Sequence, residues 1–125
     1  MLMKQAGEET LYMSIMFDFF GEMLTDKQRE YFDLYHNEDL SLSEIAERAG
    51  ITRQGVHDIL SRAEKTLLGI DSKTGITGRW LRLRSELDHA ELLSREIINL
   101  STGDAHLSNV AHELAGRLES MRDSL

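Results

Sequence analysis

Seven side chains able to read a nucleic acid sit inside one short stretch, ITRQGVHDILSRAEK (51–65): Thr52, Arg53, Gln54, His57, Ser61, Arg62 and Lys65. Their chemistry is recognition, not bond-making. Arg pairs bidentately with guanine and Gln with adenine. In a helix entering a groove, the first turn meets the base edges. Thr52, Arg53 and Gln54 would make those first contacts. His57 and Ser61 follow one and two turns later, and Arg62 and Lys65 are spaced to meet phosphate. Asp58, in the middle of this face, would meet phosphate badly, though it could accept from cytosine. The plainer reading is a solvated helix face on which Arg53 is merely exposed.

A second group lies in KTGITGRWLRLR (73–84): Lys73, Arg79, Trp80, Arg82 and Arg84, with no acid among them and the only Trp of the chain. Arginine beside an exposed aromatic suits stacking on unpaired bases. The alternative is that Trp80 anchors a long helix and the arginines are solvated.

Bond-making chemistry finds little support. With no Cys there is no disulfide framework and no thiolate zinc site. His106 and His112 are six apart, on different faces of a helix, and neither belongs to a zinc-binding motif. No phosphate-cradling glycine loop and no nucleophile elbow occur. No catalytic residue, metal ligand or cofactor is therefore assigned, and the chain is read as a non-enzyme.

The elements that must position these groups are helical. No Pro interrupts the 125 residues, and helices exclude Pro from their interiors. Residues 9–23 carry a broad apolar face that fits a helix and defeats a strand alternation. It serves either as a core helix or as a partner surface. Thr25 with Gln28 forms a capping box for a second helix running to about His36, with Tyr31, Phe32, Leu34 and Tyr35 inward. A third helix is expected from Ser43 to Ala49. Gly50 closes it in a left-handed conformation, and Ile51 is expected to turn back to the core. Thr52 caps a fourth helix, residues 53 to about 68, whose stripe is Val56, Ile59, Leu60, Ala63 and Leu67. Ala46, Gly50 and Val56, four and six residues apart, meet the steric demands of a helix-turn-helix.

The stretch LGIDSKTGITG (68–78), with three glycines, reads as a linker or turn. A long helix follows from about residue 76 to 100, then a loop at 101–104 with Asp104 as cap, then a last helix. That helix carries a heptad seam of Leu107, Ala111, Leu114, Leu118, Met121 and Leu125. A short loop between such helices suggests an antiparallel hairpin. The expected architecture is all-α: a helix-turn-helix domain over 1–70 and a C-terminal long-helix hairpin over 71–125, whose two helices either close on each other, dock on the first four helices, or pair with a second subunit as a dimerisation element; the sequence leaves these three open.

Charge qualifies the functional reading. The net charge is −8. Residues 1–41 contribute −6, residues 42–65 are neutral, residues 66–84 contribute +3, and residues 85–125 contribute −5. A dedicated DNA-binding domain usually presents a basic face; here only the middle of the chain could approach phosphate. No apolar run reaches the roughly 20 residues that span a bilayer, and the N-terminal stretch lacks a signal-peptide pattern. A soluble cytoplasmic protein without a membrane partner is expected.

The segment LTDKQREYFDLYHNEDLSLSEIAERAGITRQGVHDILSRAEKTL (24–67) resembles region four of bacterial sigma factors. It is closer still to the YlxM family of small bacterial proteins, in which LTDKQ, EIAE and RQGV.D...R.EK.L fall in the same order and spacing. The resemblance covers about the first 70 residues. It implies an all-helical, sigma-region-four-like domain with additional helices, often a homodimer. It implies a regulatory role tied to the signal recognition particle, through contact with the particle's GTPase or RNA. It carries over Arg53, Gln54, His57 and Ser61 as nucleic-acid contacts, and no catalytic residue. A dimeric DNA-binding transcriptional regulator is the alternative, and a protein–protein adaptor that binds no nucleic acid is the second.

Overall fold

The structure is a computed structural model that describes residues 7–125, the side chain of residue 8 apart. The first six residues of the domain expected over 1–70 lie outside the described residues. Six α-helices run in order: α1 (Gly7–Phe20), α2 (Asp26–His36), α3 (Leu42–Ala49), α4 (Arg53–Thr74), α5 (Ile76–Leu100) and α6 (Ala105–Asp123). A 3₁₀ turn, Gly21–Met23, separates α1 from α2, and no strand occurs among the described residues. The all-helical expectation holds. The chain divides into two compact units, residues 1–77 and 78–125.

The first unit is built around α4, on which α1, α2 and α3 all pack. Met13, Met16 and Phe20 of α1 are buried with Phe32, Ile45, Val56, Leu60, Ala63 and Leu67. The phenyl ring of Phe17 stacks on Phe32 at 4.6 Å. The dense apolar run of the first helix is thus mainly core, although Leu11, Phe19 and Met23 remain exposed. Local signals set the starts of the helices. Thr25 and Gln28 exchange the two capping-box hydrogen bonds at 3.2 and 3.0 Å. A second capping box, Ser41 with Glu44, starts α3. That helix therefore begins at Leu42, a residue before the expected Ser43, with Leu42 buried beneath it.

One expectation is corrected here. The fourth helix does not stop near Leu68: it continues to Thr74, so the expected linker is a single residue, Gly75, at φ 65. Gly69, inside the helix, is exposed with open space around it, so it lowers helix propensity by about 1 kcal/mol and nothing more. Leu67, half-buried Ile70 and buried Asp71 keep the inward spacing of the preceding turns. Residues 71–74 therefore belong to α4. Asp71 fixes this turn. Its carboxylate accepts from the Tyr12 hydroxyl at 2.6 Å and from the Thr77 backbone N–H at 3.1 Å, satisfying a free donor of α5's first turn. The Gly75 N–H closes α4 on the Asp71 carbonyl at 2.8 Å.

The second unit contains an antiparallel helical hairpin. The 101–104 loop joins α5 to α6, Asp104 accepts from the Leu107 N–H as N-cap, and Arg122 of α6 reaches back to Glu91 of α5 at 2.9 Å. The heptad of α6 divides: Ala111 is buried and Leu118 half-buried, whereas Leu107, Leu114 and Met121 are exposed.

Candidate nucleic-acid interface

The turn between α3 and α4 is three residues long. Gly50, at φ 72, adopts the left-handed conformation that a Cβ disfavours, and its N–H and that of Ile51 both return to the Ala46 carbonyl, at 2.9 and 3.1 Å. This fixes the backbone but not the expected side-chain direction. Ile51 does not return to the core: it is 38% exposed and lies along the start of α4 beside Gly55. The double return to Ala46 holds the main chain at residue 51 against the end of α3, which leaves its side chain on the outside. Thr52 caps α4, its Oγ1 accepting from the Gly55 N–H at 3.0 Å.

The stripe Val56, Leu60, Ala63 and Leu67 is wholly buried, with Ile59 half-buried. The opposite face is left to water. Thr52, Arg53, Gln54, Arg62 and Lys65 are exposed. Arg53 stands in the first turn, where the free backbone donors and the positive helix end also favour an anionic partner. Gln54 is already engaged with Asp58: its amide donates to the carboxylate at 3.0 Å, so a base contact by Gln54 must exchange that hydrogen bond. His57 Nδ1 lies 3.8 Å from the same carboxylate, beyond hydrogen-bond distance, and the ring is half-buried. Ser61 is half-buried with its Oγ sealed from solvent, so it needs a new rotamer before it can touch a ligand. Asp58, Ser61, Arg62 and Lys65 line one shallow concavity. Of the seven residues, five are thus presented outright and two are partly withdrawn.

The second basic group is divided between the two units. Lys73 lies on α4 in the first unit, while Arg79, Trp80, Arg82 and Arg84 lie on α5 in the second. Trp80 is half-buried, and the Arg84 guanidinium sits 5.5 Å over its ring, a cation–π contact one turn along the helix. Arg79 and Arg82 are exposed.

Two groups escaped the reading of the sequence. His36 of α2 and Glu64 of α4 face each other in the core at 3.5 Å, their side chains 0% and 2% exposed, with Phe32 stacked on the imidazole at 4.2 Å. Tyr12 and Asp71 form the other pair. Both acids continue the inward spacing of α4, at 60, 64, 67 and 71. That spacing was the available signal. Among the described residues, no group of three or more His, Asp or Glu side chains converges so as to hold a metal ion, and no helix is long and apolar enough to cross a membrane.

Comparison with known proteins places this turn in a family. Residues 7–102 match the family model of UPF0122, described as "Putative helix-turn-helix protein, YlxM / p13 like". The chain belongs to the UPF0122 family. A UPF0122 protein of Thermoanaerobacter sp. (strain X514) is 38% identical over 114 residues, spanning 91% of this chain and 97% of the relative. One from Desulforamulus reducens is 40% identical over 91 residues, 73% of this chain and 72% of its own length. One from Clostridium novyi (strain NT) is 33% identical over 118 residues, 94% and 96% of the two chains. The UPF0122 match extends beyond the first 70 residues to the end of α5, so the long helix is part of the family pattern and not an appendage to it.

Proposed function

We propose that this UPF0122 chain is a non-enzymatic regulatory protein that contacts nucleic acid through the exposed face of α4. The observation that carries the reading is the doubly capped turn that leaves Thr52, Arg53 and Gln54 exposed at the start of α4. Arg53 supplies base discrimination, and Arg62 and Lys65 supply phosphate contact. The YlxM resemblance directs the reading to the signal recognition particle, with the particle's RNA as the nucleic acid and its GTPase as the protein partner. The protein would then bias the particle by non-covalent contact in the cytoplasm.

The test is fluorescence anisotropy with three labelled probes, mixed duplex DNA, single-stranded RNA and the signal recognition particle RNA, at low and physiological salt. Selective binding of the particle RNA, weakened by Arg53→Ala, is the expected result. Binding to duplex DNA alone, with Arg53→Ala relaxing base preference by about 1–3 kcal/mol, supports the dimeric transcriptional regulator instead. No binding to any probe, together with GTPase affinity that survives Arg53→Ala, leaves the adaptor reading and overturns the one proposed.

A further inference from the structure

The first unit has a second surface, away from the exposed face of α4. A hollow of about 240 Å³ opens between α2 and α3, with Tyr31, Leu34, Ile45 and Ala49 as its apolar lining and Glu30 and Arg48 as its charged lining. Arg48 also lines an adjoining open hollow on α3, with Leu40, Glu44 and Glu47. Tyr31 and Ile45 are buried and Leu34, Leu40 and Ala49 half-buried, while the four charged residues are exposed. The two hollows thus form one groove, apolar at its floor and charged at its edges. The charge is unequal, three carboxylates to one guanidinium. Exposed Glu38 and Asp39, in the loop just before Leu40, add to the acid. Lys27 is the other cation on this side, on the same spacing as Tyr31 and Leu34. Arg29 is held by Glu22 and Asp26 at 3.1 and 2.8 Å and lies about 140° round α2 from Leu34.

We propose that this groove is the docking site for a short basic amphipathic helix of another protein. The occupant follows from the charge and shape of the groove. Phosphate is repelled by Glu30, Glu44 and Glu47, so a nucleic acid is the wrong partner for this face. The hollow between the helices is smaller than the roughly 300–1,000 Å³ of a small-molecule site, yet it admits an apolar side chain. A helix laid in a groove anchors through apolar residues one turn apart, and the two hollows offer two such anchor points. Lysine or arginine on the flanks of that helix would meet the three glutamates. Charge matching of this kind serves specificity and encounter rate more than raw affinity. The groove is built from α2 and α3 alone, so the inference stands without the nucleic-acid reading of α4.

The test is fluorescence anisotropy of the full chain with labelled peptides of about 18 residues, or five helical turns. One carries Leu at i, i+3, i+4, i+7 spacing and Lys on its other faces; a second scrambles that order, and a third has Glu for Lys. The first peptide is expected to bind at physiological salt, and the other two to bind at least about tenfold more weakly. Glu30→Lys with Glu47→Lys should weaken it by about tenfold, and Ala49→Gln, which fills the hollow without changing charge, by a similar factor. Glu44 is left intact because it caps α3. Circular dichroism checks that each variant keeps its helicity. Glu113→Lys with Glu119→Lys makes the same charge change on exposed α6 residues and should leave binding unchanged, as should Arg53→Ala. No binding of the first peptide overturns the proposal. So does equal binding of the scrambled peptide, or an equal loss in the α6 variant, since either means general attraction to an acidic protein. Binding that survives Ala49→Gln overturns the groove. Displacement of the peptide by RNA or duplex DNA would give the surface to nucleic acid. A changed solution mass of Glu30→Lys with Glu47→Lys in light scattering would give it to a second copy, and either result overturns the proposal.

Discussion

Removing the Asp71 carboxylate should loosen the C-terminal end of α4, where it bonds Tyr12 of α1 and the backbone of Thr77. Asp71→Ala abolishes two hydrogen bonds to a charged acceptor, from the Tyr12 hydroxyl at 2.6 Å and the Thr77 N–H at 3.1 Å. Such bonds contribute about 1.5–3 kcal/mol each. Tyr12 is half-exposed, which puts its share at the low end, whereas Thr77 is fully buried and loses a partner it cannot replace from water. The expected cost is about 3–4 kcal/mol, a large part of a domain's stability. Tyr12→Phe alone should cost about 1–1.5 kcal/mol, and almost nothing when Asp71 is already Ala. Urea denaturation of the two single variants and the double variant measures that coupling directly. The pH dependence gives a second check. Burial pushes the Asp71 carboxyl up, but hydrogen bonds from Tyr12 and Thr77 outweigh it and hold the group below its ordinary value. Its stabilisation is present above the unfolded pKa of about 3.9 and is lost as pH falls through the lowered folded value. Tyr12 moves the other way: its bond to Asp71, its burial and the Asp71 charge all raise it. Its share is intact below about pH 10 and is lost as pH rises through the raised value. The gap between wild type and Asp71→Ala should therefore be flat near neutrality and close at both extremes. Additive single variants, or a gap that widens in acid, would refute the account.

Glu64→Ala should destabilise the first unit by about 3 kcal/mol, read by thermal or urea unfolding, because His36 loses its buried partner, while replacing both by Leu should recover most of that loss. Gly75→Ala forces a Cβ into the left-handed region and should cost about 1–2 kcal/mol, read as a drop in unfolding midpoint. Thr52→Ala should cost about 1 kcal/mol through the lost N-cap and weaken any nucleic-acid affinity, because the turn that presents Arg53 frays. Each phosphate-contacting cation removed, Arg62 or Lys65, should lower the steepness of log affinity against log salt by about one unit, measured by anisotropy titration.

The helix-turn-helix was legible because its information is local. Thr25 with Gln28, Gly50 and Thr52 each act on backbone groups within three or four residues, so spacing alone identifies them. What spacing could not reveal was tertiary. Gly69 and Gly75 look alike in the sequence, yet one is a tolerated exposed helix residue and the other sits at φ 65 and ends the helix. The difference is made by Asp71, whose partners include Tyr12, 59 residues away. Glu64 likewise reads as a surface acid until His36 of α2 is packed against it. Ile51 was misplaced for the converse reason: its residue type favours burial, but the hydrogen bonds of the turn decide where it points. On the exposed face of α4, composition proposed the residues, and only the structure revealed that Asp58 holds the Gln54 amide and that the Ser61 hydroxyl is sealed.

The acidic balance then bears on how such a surface could bind at all. Arg53, Arg62, Lys65 and Lys73 are the exposed cations of α4, and Asp58 opposes the first three. Two phosphate contacts, from Arg62 and Lys65, give a salt slope of about −1.8, well short of the 6–10 contacts of a strong DNA-binding protein. A single copy would hold nucleic acid weakly and lose it as salt rises. In the homodimer that the YlxM resemblance implies, two copies would double the phosphate contacts to about four, with a slope near −3.6, and would convert the second contact into an intramolecular one. Repulsion from the acidic ends of the chain would penalise nonspecific attachment along duplex DNA, and would leave affinity to a site that engages both copies at once.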